Sequence, residues 1–121
     1  MSYELRYSIK LVKSQTITTT DVYTSIGYDL SGTKAKKFAV WIIVESGTNP
    51  DVKLTYEMAD KDILANYVVP NGTSPLINDL TDTNPRILTI ENPPMQWIRF
   101  KVTGNDNNGS AIVTVKLTLT S

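Results

Sequence analysis

From Ala111 to Thr120 the residues alternate, with Ala111, Val113, Val115, Leu117 and Leu119 on one side and Ile112, Thr114, Lys116, Thr118 and Thr120 on the other. A period of two belongs to a β-strand with one face turned to a core. The same alternation sets Leu5, Tyr7, Ile9 and Leu11 against Arg6, Ser8 and Lys10, and Val52, Leu54, Tyr56 and Met58 against Lys53, Thr55 and Glu57. Within Met95 to Val102 it sets Ile98, Phe100 and Val102 against Trp97, Arg99 and Lys101. Shorter strands are expected at Thr16–Thr19, Val22–Leu30, Ile63–Val69 and Arg86–Ile90. Turn formers punctuate them: Ser31-Gly32, Ser46-Gly47 with Asn49-Pro50, Pro70-Asn71-Gly72, Asn84-Pro85, Asn92-Pro93-Pro94 and the run Gly104 to Gly109.

Many short strands at this spacing predict an all-β chain, an antiparallel β-sandwich that is jelly-roll-like and has roughly eight strands. Only Ala59 to Asn66 offers a helical stretch, and it is a turn at most. No linker or repeat divides the chain, so residues 1–121 are expected to form one domain. Residues 1–20 are its N-terminal strand or an arm that reaches a neighbouring subunit.

The chemistry such a scaffold can host is narrow. The chain has no cysteine and no histidine, which removes thiolate chemistry, serine–histidine and cysteine–histidine catalysis, and the commonest neutral metal ligand. Twelve basic and twelve acidic residues cancel, so there is no basic excess of the kind nucleic acid demands. Asp60, Asp62, Asp79 and Asp82 stand in polar turns, where a carboxylate stays ionised rather than serving as a general acid. The loop Gly104-Asn105-Asp106-Asn107-Asn108-Gly109 offers oxygen ligands but one carboxylate, and reads better as a hairpin connection than as a calcium loop. The sequons at Asn71 and Asn108 read as turns, and Lys34, Lys36 and Lys37 as solvated charges guarding a strand. No enzyme activity, cofactor, metal, nucleic acid or membrane is expected. The N-terminus lacks the apolar stretch of a signal peptide, which predicts synthesis in a cytoplasm.

One strand breaks the alternation. Phe38-Ala39-Val40-Trp41-Ile42-Ile43-Val44 is apolar on both faces, whereas a sandwich strand turns one face to solvent. Either a loop or the N-terminal arm covers Ala39, Trp41 and Ile43, or these residues form a subunit interface. Burying Trp41 and Ile43 between subunits would contribute about 3–6 kcal/mol. A second surface candidate is Trp97 with Arg99 and Lys101, either a platform for a glycan or protein partner or a cation–π pair that packs the sheet.

Two segments together carry a resemblance. Tyr28-Asp29-Leu30-Ser31-Gly32 leads into the apolar strand, and Pro93-Pro94-Met95-Gln96-Trp97-Ile98-Arg99-Phe100-Lys101-Val102 comes later, with Val52–Met58 and Tyr67-Val68-Val69-Pro70 between. From about residue 22 onward this order resembles the small β-sandwich structural and decoration proteins of tailed bacteriophages. It is also similar to the galactose-binding-like sandwich. The phage resemblance implies a non-enzymatic virion component, a capsid decoration or stabilisation subunit made in the host cytoplasm. It would act as a homo-oligomer, with a trimer expected, on a lattice of other virion proteins such as the major capsid protein. The alternative is a carbohydrate-binding module associated with a fibre or adaptor.

Overall fold

In the computed structural model, which describes residues 6–31, 37–70, 76–91 and 95–120, the alternating segments become nine strands. They are β1 (Arg6–Thr18), β2 (Val22–Thr24), β3 (Tyr28–Asp29), β4 (Lys37–Thr48), β5 (Val52–Ala59), β6 (Ile77–Leu80), β7 (Arg86–Glu91), β8 (Trp97–Gly104) and β9 (Ser110–Thr120). One sheet runs β1-β9-β4-β7, the other β2-β8-β5-β6, with β3 also on β8. All pairings are antiparallel. Each sheet alternates early and late strands, which is the double Greek key of a jelly roll.

The inner faces meet because each strand turns its apolar set the same way. Val40, Ile42 and Val44 of β4 and Val113, Val115 and Leu117 of β9 are fully buried, as are Leu54 of β5 and Phe100 and Val102 of β8. Such layers pack about 10 Å apart with side chains interdigitated.

Three segments depart from the plain alternation. β1 keeps phase with β9 only to Lys10; register shifts between Lys10 and Val12 and between Val12 and Gln15 put Leu11 and Val12 both in the core, and Ile17 after them. Ser14 takes φ 43° inside this irregular stretch. The stretch Val22–Leu30 is two strands rather than one. At the break Ser25 is buried; its N–H donates to the Phe100 carbonyl at 2.8 Å, and its hydroxyl accepts from the Phe100 N–H at 2.9 Å. A serine side chain thus completes the ladder where the backbone turns away. The stretch Ile63–Val69 is not a strand. Leu64–Asn66 form a 3-10 turn, and Val68 makes an isolated bridge to Met58.

Two close approaches explain particular glycines. A Cβ on Gly104 would lie 2.0 Å from the Thr19 carbonyl oxygen, where the β1–β2 turn crosses the end of β8. A Cβ on Gly27 would lie 2.0 Å from the Tyr67 hydroxyl and 2.7 Å from Asp62. The β2–β3 link therefore sits directly against the β5–β6 connection.

Candidate functional site

The outer face of the four-stranded sheet collects Ala39, Trp41 and Ile43 from β4, all half-buried. Register places Trp41 between Ile87 of β7 and Lys116 of β9, and Ala39 between Thr89 and Thr118. The Lys116 ammonium lies 4.4 Å from the centre of the Trp41 ring, so its stem covers part of the indole. Ile87 is 71% exposed. The sequence singled out Trp41, Ile43 and Ala39; the pairing of β7 adds Ile87 beside them, which the run Ile87-Leu88-Thr89-Ile90 does not distinguish from a core residue.

Next to this apolar strip lies a polar knot. The Thr114 hydroxyl donates to Glu45 and accepts from the Ser14 N–H at 2.9 Å, while the Ser14 hydroxyl donates to both Glu45 oxygens at 2.9 and 3.0 Å. The hydrogen bond from Thr114, then that from Ser14, hold the Glu45 carboxyl below its ordinary range. This knot ties the irregular part of β1 to β4 and β9.

The outer face of the second sheet carries Trp97, Arg99 and Lys101 on alternate positions of β8. Arg99 is committed inside the protein. Its Nε and an Nη lie 3.0 and 2.9 Å from one oxygen of Glu57 on β5, and Lys101 lies 3.5 Å from the same oxygen. The Arg99 guanidinium sits 4.1 Å from the centre of the Tyr67 ring, so its aromatic partner comes from the β5–β6 connection and not from Trp97. Trp97 remains half-buried, in register with Asp29 and Ala59.

Tyr67 is buried and its hydroxyl donates to Asp62 at 2.7 Å. Burial, then the bond to Asp62 and its charge, push the phenol up to about 12. The folded protein therefore holds this proton more tightly than the unfolded chain, whose tyrosines ionise near pH ~10. Stability is fully present below that pH and is lost as pH rises from about 10 towards 12. Urea midpoints measured through this window should fall more steeply for the wild type than for Tyr67→Phe; parallel curves would contradict the assignment.

Of the acids expected in turns, Asp60, Asp62 and Asp82 lie in connections, whereas Asp79 stands on β6. Asp60 accepts from Asn66 at 2.9 Å, Asp82 from Arg86 at 2.9 Å, and Asp106 from the Asn108 N–H at 2.8 Å within the β8–β9 hairpin. The Asn105 amide donates to Asp51 and to the Asn78 carbonyl at 3.1 and 2.9 Å. A hydrogen bond and charge from Asp51 raise the Asp79 carboxyl. Among the described residues no group of three acidic side chains converges as a metal site. An open cleft of about 560 Å³ lies between β1 and β2, lined by Ile9, Leu11, Tyr23 and Ile26 with Lys10 and Lys13. No acid lines it. No helix among the described residues is long and apolar enough to cross a membrane. Lys34, Lys36 and Asn71 lie outside the described residues.

No family model matches the chain, and no curated protein matches it. Solved structures do. The chain superposes on XepA, a PBSX exported protein, with a TM-score of 0.66 at 13% identity, over 93% of this chain and 36% of XepA. It superposes on the SPBc2 prophage-derived protein YomS with a TM-score of 0.60 at 13% identity, over 100% of this chain and 97% of YomS. The match to PirA has a TM-score of 0.50 at 10% identity, over 100% of this chain and 95% of PirA. The chain thus spans little more than a third of XepA and nearly all of YomS. At these identities the likeness defines the fold: a jelly-roll β-sandwich of the form that a prophage-derived protein also takes.

Proposed function

We propose that the chain is a non-enzymatic phage structural protein, a capsid decoration or stabilisation subunit that assembles with copies of itself through the outer face of its four-stranded sheet. The observation that carries this is the strip of Trp41, Ile43 and Ala39 extended by Ile87, which is 71% exposed. An apolar strip rimmed by polar groups, here Lys116 and the Glu45 knot, is the usual make-up of a contact surface. The fold shared with prophage-derived YomS supports the phage setting, and the acids engaged in turns support a role without catalysis. A trimer is the expected assembly, and a virion protein such as the major capsid protein the expected lattice.

Sedimentation velocity of the full chain tests it. The wild type should sediment as a discrete oligomer and Trp41→Ser/Ile87→Ser as a monomer with an unchanged circular dichroism spectrum. A wild type that stays monomeric at about ten times the micromolar range of specific association would overturn the reading. Of Trp97, Arg99 and Lys101, the carbohydrate-binding alternative rests chiefly on half-buried Trp97, since Arg99 is paired with Glu57 and Lys101 lies near the same carboxylate. A glycan titration that shifts Trp97 emission would favour it instead.

A further inference from the structure

β1 and β2 are edge strands on one flank of the sandwich. Among the described residues β1 pairs with β9 alone and β2 with β8 alone, and the open cleft lies between them. Its lining is of two kinds. Ile9, Leu11, Tyr23 and Ile26 are apolar or aromatic, and Ile26 is 76% exposed. Lys10 and Lys13 are exposed cations, and among the described residues neither joins an ion pair. The ladder sets Lys10 directly opposite Lys116, and like charges so placed repel. Lys116 rests on Trp41 instead, 4.4 Å from the ring centre. Lys10 reaches Glu45 only by its charge, behind the hydrogen bonds that Thr114 and Ser14 make to that carboxylate. Lysines on an edge turn away most foreign strands. The exception is a strand of the opposite charge, which they attract and thereby select.

We infer that this cleft docks an extended acidic segment of a partner protein, laid as an added strand along β1. From Arg6 to Lys10 β1 keeps regular register with β9, so before the first break its far side presents an ordinary row of strand backbone groups. Side chains that face each other across such a pair share a side of the sheet. Those on the outer side would stand beside Ser8, which meets Thr118 at 2.8 Å, and beside Lys10. Those on the inner side would enter the cleft among Ile9, Leu11, Tyr23 and Ile26. Charge therefore selects acids for the outer set, and the apolar lining selects apolar side chains for the inner set. A segment that alternates acidic and apolar residues meets both demands at once. A small amphiphile meets them less well: small-molecule sites enclose most of their ligand, whereas this cleft is open, and such a ligand leaves the backbone row of β1 unanswered. β1 and β7 are opposite edges of the sheet, so this site and the Trp41–Ile87 strip can be filled together, and neither depends on the other.

Fluorescence anisotropy of a labelled, end-blocked peptide in which glutamate alternates with leucine, titrated with the full chain, tests the site. The wild type should bind it, and more weakly as salt rises. Lys10→Glu/Lys13→Glu should raise the dissociation constant about tenfold or more, and so should Ile26→Asp. All three residues are exposed, so both variants should keep the wild-type circular dichroism spectrum. Two control peptides need no variant: one with lysine in place of glutamate, and one of unchanged composition with its glutamates and leucines in separate blocks. Neither should compete. A wild type that leaves the alternating peptide unbound, variants that bind it equally, or a control peptide that competes would each overturn the inference. Decanoate binding that the lysine variants abolish, with no binding of the peptide, would overturn it too and make the cleft a small-molecule site. These readouts do not turn on oligomeric state, so self-association is judged separately, by sedimentation.

Discussion

Glu57→Ala should destabilise the protein by about 3–5 kcal/mol, whereas Glu57→Leu combined with Arg99→Leu should cost far less. The reason is the seating of the pair. The side chains of Arg99 and Glu57 are 11% and 10% exposed, and Glu57 also faces Lys101 at 3.5 Å. Removing the carboxylate leaves a nearly buried guanidinium with no counter-charge and a lysine of like sign close by. The Tyr67 ring, 4.1 Å away, offers the cation a weaker partner than an anion does. Replacing both members removes the unpaired charge and leaves apolar surface under the β5–β6 connection. Urea denaturation of wild type, single and double variants reads the difference directly. A single variant as stable as the double would show that the pair is hydrated in solution and that the connection does not seal it.

Phe100→Ala should cost about 3–5 kcal/mol. Phe100 is fully buried, stands across from Tyr56 on β5, and lies on the strand whose backbone at that residue bonds Ser25 in both directions. Truncation removes a large apolar side chain from between two sheets whose backbones are fixed by their ladders, so the space cannot close by collapse. Val68→Ala is the matching control: Val68 is 60% exposed, and its loss should stay within about 0.5 kcal/mol. Equal midpoints for Phe100→Ala and wild type would mean that the two layers do not pack as described.

The sheet content was legible wherever one rule governed a whole strand. In β9, β8 and β5 the alternating residues are the ones that face the core, because these interior strands pair on both sides and no bulge resets their phase. The rule fails where a second force acts. In β1 the breaks around Lys10 and Val12 turn two successive residues inward, and the neighbouring contact of Glu45 with Ser14 and Thr114 joins three strands in a way that a linear pattern does not contain. Ile63 to Val69 has strand-forming residues, yet the loop is shaped by Tyr67 reaching Asp62 and Arg99. β6, Ile77–Leu80, is too short and too polar to announce itself, and it offsets the strand expected at Ile63–Val69.

The candidate surface was half legible for the same reason. Trp41 stands out in sequence because its strand is apolar on both faces. Ile87 does not, because its exposure follows from β7 being an edge. The commitment of Arg99 to Glu57 depends on the β5–β8 register, which pairs these two residues directly.

Solvent access to Trp41 as a function of protein concentration tests the assembly face most directly. The chain has two tryptophans, so Trp97→Phe leaves Trp41 as the sole reporter. Acrylamide quenching of that variant should weaken, and its emission move to shorter wavelength, as concentration rises and copies cover the strip. Quenching that stays constant while the protein demonstrably oligomerises would contradict the account and move the contact to another face.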